Sequence, residues 1–122
     1  MKPERKFWLE FKKNTPNITW TRIENISIPG VPDLLGYNKN KHFFTVELKV
    51  TKSNKVRLSP HQIAFHVKHP YNTFILVLDA CLKVPKLYEG SCIRELVAQG
   101  LKLEPRTQGW INSEEFLSKL DA

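Results

Sequence analysis

A strand-length run that carries a pair of opposite charges on one of its faces constrains this chain more than any other feature. Phe43, Phe44, Val46, Leu48 and Val50 are strand-forming residues, and Glu47 and Lys49 lie two apart among them. Side chains two apart on a strand point to the same face, so Glu47 and Lys49 project together while Leu48 turns the other way into apolar surroundings. Charges inside an otherwise apolar strand need a compensating partner. One is offered upstream, where Asp33 sits among Val31, Leu34 and Leu35, with Gly36-Tyr37-Asn38-Lys39-Asn40-Lys41 reading as a polar turn between the two segments. Folding back at that turn brings Asp33 within bridging distance of Glu47 in one register. A slip of one residue would turn every side chain to the opposite face.

Two carboxylates and an ammonium converging in this way suit a hard cation held against a phosphate. Carboxylate oxygens bind Mg²⁺ or Mn²⁺, which keep other positions for water and phosphate oxygens, and the carbonyl of Leu48 is a further candidate ligand. Lys49 then stands where it can orient water and place positive charge beside a phosphoryl group. Each half has an ordinary reading as well. Glu and Lys two apart occur as solvated ion pairs, and Pro-Asp is a common turn dipeptide.

Gly30-Val31-Pro32-Asp33 followed by Glu47-Leu48-Lys49 resembles the PD-(D/E)xK nuclease superfamily, most closely its small VRR-Nuc and Holliday-junction-resolvase-like members, including bacteriophage ones. The resemblance covers residues 3 to 79. It extends to Glu4-Arg5 at the start of an apolar helix and to Leu58-Ser59-Pro60-His61-Gln62 after the charged strand. It implies a restriction-endonuclease-like core and a divalent-metal-dependent DNA endonuclease that leaves a 5′-phosphate. Asp33, Glu47 and the Leu48 carbonyl would hold Mg²⁺ or Mn²⁺, Lys49 would align or polarise water, and Glu4 and Gln62 would complete the site. A branched substrate of Holliday-junction type is expected, cut symmetrically by a C2 homodimer. The alternatives are a nonspecific or nicking nuclease, an RNA-directed nuclease and a non-catalytic basic DNA-binding module.

Periodicity locates the outlying candidates. Glu4 lies three before Phe7 and seven before Phe11, on the inward face of a helix, whereas Glu10 falls at the rim of the Phe7, Trp8 and Phe11 stripe. Ser59 and Pro60 are an N-cap and first-turn pair opening a helix to Lys68. On it Gln62, His66 and His69 share a side opposite much of Ile63, Ala64 and Val67, so that the polar side is expected to face the cleft or DNA, with His61 beside it. Arg22 and Ser27 are candidate phosphate contacts, and residues 25 to 28 are expected to form a loop over the site.

Charge adds an independent argument. The 122 residues carry a formal net charge of +7, and Lys39, Lys41, Lys49, Lys52, Lys55, Arg57 and Lys68 gather around the charged strand. Such a field attracts a polyanion in a salt-dependent way. Lys52, Lys55 and Arg57 fall in a polar loop placed to grip phosphates. No basic amphipathic helix or lipidation signal points to a membrane, and no long apolar stretch or secretory core is present, so a cytoplasmic protein is expected. Cys81 and Cys92 stand singly, as reduced and buried thiols.

The length and a hydrophobic content of 41% suit one domain over residues 1 to 122. Thr73 to Leu78 reads as a strand covered on both faces, with Val84 to Tyr88 paired beside it after a turn. Helices are expected over Glu4 to Lys13, from Pro60, over Ser91 to Gln99, and from a cap at Asn112-Ser113 anchored by Phe116, Leu117 and Leu120. Residues 103 to 109 read as a loop offering Arg106 to DNA. The class is α/β, a central mixed sheet flanked by helices.

Overall fold

The computed structural model describes residues 3–23 and 28–121. The elements in chain order are α1 (Pro3–Asn14), β1 (Thr19–Arg22), β2 (Leu34–Tyr37), β3 (Phe43–Thr51), α2 (Pro60–Lys68), β4 (Thr73–Asp79), β5 (Val84–Glu89), α3 (Ile93–Gln99), β6 (Thr107–Gln108) and α4 (Trp110–Ser118). The six strands form one sheet in the order of the chain. Only β3 and β4 run parallel, joined by the α2 crossover, and every other neighbouring pair is antiparallel. The expected α/β class and mixed sheet are therefore present.

Alternation along the strands divides the apolar residues between two cores. Phe44, Val46 and Leu48 of β3 and Phe74 and Leu76 of β4 meet Phe7, Trp8 and Phe11 of α1 and Leu117 of α4 on one face. Ile75 and Val77 turn to the other face, against Ile93 and Leu96 of α3 with Ile63 of α2 beside them. Each buried aliphatic or aromatic side chain is worth roughly 1.5–3 kcal/mol against exposure. The even-numbered residues of β3 are thus committed to the α1 side, and Glu47 and Lys49 necessarily face the α2 side.

Asn38 holds the β2–β3 hairpin and the C-terminal helix together. Its Oδ1 accepts the amides of Asn40 and His42 across the turn, and its buried side-chain amide donates to the carbonyls of Leu117 and Leu120 at 2.9 and 3.0 Å. Asn40 Nδ2 adds a second side-chain donor to the Leu120 carbonyl at 3.1 Å, so the carbonyls at the end of α4 are tied to the hairpin turn. Two expectations are corrected at this end of the chain. Residues 107 and 108 form a short edge strand on β5 rather than a loop. Helix α4 begins at Trp110, two residues before the expected cap, because Gly109 takes a positive φ of 96° and Ser113 is buried against Thr107 instead of capping.

Candidate functional site

The β2–β3 register decides which acids meet. Leu34, the first residue of β2, pairs with Val46, and Asp33 at the bend just before it lies against the Glu47 side chain. Asp33 lies just before β2, and its Oδ2 accepts the backbone N–H of Leu48 at 2.9 Å. The Leu48 carbonyl leaves the strand on the same side as its amide, toward the Asp33 segment. The Asp33 carboxylate therefore meets both the Leu48 amide and the Glu47 side chain at the start of β2.

Glu47 is only 2% exposed, and its Oε1 is buried with no hydrogen-bond partner. Burial raises its proton affinity far above the usual carboxylate range. The adjacent Asp33 carboxyl raises it further, Lys49 opposes the shift, and Glu4 adds a smaller upward push. An orphaned buried carboxylate oxygen beside a second acid is costly unless a proton or a cation neutralises it. Among the described residues no three His, Cys, Asp or Glu side chains form a metal cage. Two carboxylates and a carbonyl fit a cation such as Mg²⁺, which retains water and takes substrate oxygens in its other positions, better than one needing a full protein cage.

Beside this pair is a cavity of about 340 Å³ lined by Glu4, Lys49, Lys52, Ser53, Lys55 and Arg57 among others. Glu4 comes from the first turn of α1, and the basic residues come from the end of β3 and the segment that follows. Glu4 is exposed rather than turned inward as its spacing predicted, as is Glu10, but of the two Glu4 lines this cavity. Gly30, with φ of 87°, packs where any Cβ would overlap the backbone of His61, so the segment leading to Asp33 rests on the first turn of α2.

Helix α2 departs from the expected arrangement. Its capping box is present, with Ser59 accepting the Gln62 amide at 3.2 Å and Gln62 Oε1 accepting the Ser59 amide at 2.9 Å. The Gln62 side chain is thereby committed to starting the helix. His66 is fully buried, and its Nδ1 is 2.8 Å from the Gln62 carbonyl. It is not available as a DNA contact, and the side carrying His66 faces inward while Ala64 and Val67 are exposed. The reason is that an imidazole with its Nδ1 proton held by the helix backbone packs as a neutral ring; burial lowers its proton affinity accordingly.

Arg22 ends β1 exposed, opposite Leu34 in register and hence on the α1 side of the sheet. Ser27 and most of the expected loop over residues 25 to 28 lie outside the described residues. His61 is exposed on the first turn of α2. Arg106 lies over the Phe116 ring at 5.0 Å and lines a separate groove on α4. Both cysteines are free, but neither is buried as expected: Cys81 is exposed, its thiol on the Lys52 carbonyl, and Cys92 is half-buried.

Compared with known protein families and with curated proteins, the chain matches no family model and no curated sequence. Among the described residues no helix is long and apolar enough to cross a membrane.

Proposed function

We propose that this chain is a divalent-metal-dependent DNA endonuclease of the PD-(D/E)xK type, built on a restriction-endonuclease-like core. The reading rests above all on the juxtaposition of Asp33 with Glu47, whose buried Oε1 lacks a partner. Asp33, Glu47 and the Leu48 carbonyl would hold Mg²⁺ or Mn²⁺. When bound, that ion supplies activation of water and neutralisation of charge on the phosphoryl oxygens.

Lys49 projects from the same face of β3 as Glu47 and keeps an ammonium at the mouth of the cavity, where it orients the attacking water and stabilises charge gained by the phosphate. Glu4 opposes it from α1 and accepts from water on that side. Lys52, Lys55 and Arg57 bind the DNA backbone electrostatically, without reading bases. Gln62 acts through the helix it starts, whose first turn supports the approach to Asp33. The substrate we favour is branched DNA of Holliday-junction type, selected by shape and cut in the cytoplasm by a C2 homodimer to leave 5′-phosphates.

The test is Mg²⁺-dependent cleavage of junction, flap, nicked and linear duplex DNA at one salt concentration, with matched RNA. Junction cleavage lost in Asp33→Ala and Glu47→Ala is the expected result. Equal cleavage of all DNA forms would replace the resolvase reading with a nonspecific or nicking nuclease. Preference for the RNA strands would make the target RNA. DNA binding with no cleavage under Mg²⁺ or Mn²⁺ would leave a basic binding module.

A further inference from the structure

The basic segment after β3 is anchored by Val56, buried in the core on the α3 side, and its polar backbone is braced from two distant parts of the chain. Internally, Thr51 Oγ1 donates to the Lys55 carbonyl at 2.8 Å and the Lys55 amide donates to Ser53 Oγ at 3.2 Å. On one flank the turn after β4 holds it, with the Ala80 amide on the Thr51 carbonyl at 2.9 Å and the Cys81 thiol on the Lys52 carbonyl at 3.1 Å. On the other flank the end of α3 holds it. There the Leu101 amide donates to the Asn54 carbonyl at 2.7 Å, and Asn54 Nδ2 donates to the Gln99 carbonyl at 3.3 Å.

Gly100 makes that second attachment feasible. Its φ is 62° with ψ of −143°, a conformation that disfavours other residues, and a Cβ there would overlap the Asn54 carbonyl oxygen. Long lysine and arginine side chains lose entropy when they grip a ligand, and a backbone already fixed lowers the remaining cost.

We propose that Gly100 is a positioning residue for a second phosphate subsite, in which Lys52, Lys55 and Arg57, lining the cavity beside Lys49, take the backbone phosphate next to the one cut. The proposal rests on the nuclease reading and deepens it. Glu4, the acid at the rim of the same cavity, keeps the phosphate toward the basic side by repulsion. Gly100 touches neither DNA nor metal; it fixes the Asn54 carbonyl and with it the direction in which Lys52 and Lys55 leave the chain.

The experiment compares the full chain with Gly100→Ala and Asn54→Ala, reading duplex-DNA affinity against salt without divalent metal, then steady-state cleavage with Mg²⁺. Gly100→Ala is expected to raise KM about ten-fold with kcat held within about two-fold and a shallower salt slope, since binding geometry and not chemistry is disturbed. Asn54→Ala should move KM the same way by about two-fold or more, and it decides the matter if Gly100→Ala does not fold. A lowered kcat at unchanged KM, the mark of a partly unfolded preparation, overturns the positioning role, as do an unchanged KM and slope. Wild-type protein that neither binds nor cuts DNA removes the nuclease reading along with it, whereas wild-type cleavage with indifferent variants removes this inference alone.

Discussion

The amide of Leu48 donates to the Asp33 carboxylate across 2.9 Å, so a backbone bond that would otherwise extend the sheet fixes an acidic side chain instead. Pro32, which has no N–H to donate to a ladder, precedes the bend at Asp33 where β2 begins. The Pro-Asp dipeptide therefore sets both the end of β2 and the geometry beyond it.

Glu47→Gln should stabilise the metal-free protein at neutral pH by about 1–3 kcal/mol, because an amide removes the need to hold a proton on a buried acid. In the unfolded chain the Glu47 carboxyl titrates near 4.5, and burial raises that value in the folded chain. The folded state then binds more protons, and metal-free stability should fall as pH rises from about 4.5 toward the raised folded value. Mg²⁺ competes with the same proton, so its stabilising effect should grow with pH in the wild type and be absent in the variant. Chemical denaturation with EDTA or Mg²⁺ across pH measures both, and a flat difference between the two proteins would contradict the account.

Lys49→Ala should cut kcat by about 100- to 1,000-fold while changing DNA affinity little, as befits a charge that acts on the transition state. Single-turnover cleavage beside an equilibrium binding measurement separates the two. Equal losses in both would make Lys49 an ordinary phosphate contact.

Gln62→Ala should cost about 1 kcal/mol of stability through the lost capping box, and Gln62→Glu should retain most of it, since either side chain can accept the Ser59 amide. Cleavage by both variants at temperatures well below melting should stay close to wild type. A large fall in kcat with intact stability would instead place the Gln62 amide at the reacting atoms.

His66 predicts an acid limb. Its ring is neutral and buried, and burial holds its proton affinity below the ordinary value of 6.5, so the unfolded chain takes up a proton first as pH falls. Stability contributed by the neutral ring is present above about 6.5 and lost as pH drops toward the lowered folded value. His66→Phe should flatten that part of the stability profile measured by urea denaturation between pH 7 and 5. An unchanged slope would assign it to other groups.

The hairpin and its convergent acids were legible in the sequence because strand alternation has only two phases, and the apolar residues at Val46 and Leu48 select one of them. The Ser59-Pro60 start of α2 was equally plain, since capping is local chemistry. The rotation of that helix was not, because a histidine reads as polar until its Nδ1 proton is given to the backbone, as His66 gives it to the Gln62 carbonyl. The two-residue strand at Thr107 and Gln108 has no periodicity to detect, and the start of α4 was misplaced because Asn112 and Ser113 look like caps in isolation. The braces from Ala80 and Leu101 onto the basic segment depend on contacts between residues distant in sequence, which no local pattern records.

Asn38 satisfies the carbonyls of Leu117 and Leu120, so the helix that closes the α1 face of the sheet is finished by a side chain made some eighty residues earlier. A growing polypeptide can lay down its acidic hairpin long before that latch exists. Fragments lacking the last helix should leave the Asn38 side-chain amide and the apolar surface of β3 uncovered, prone to capture by chaperones or proteases.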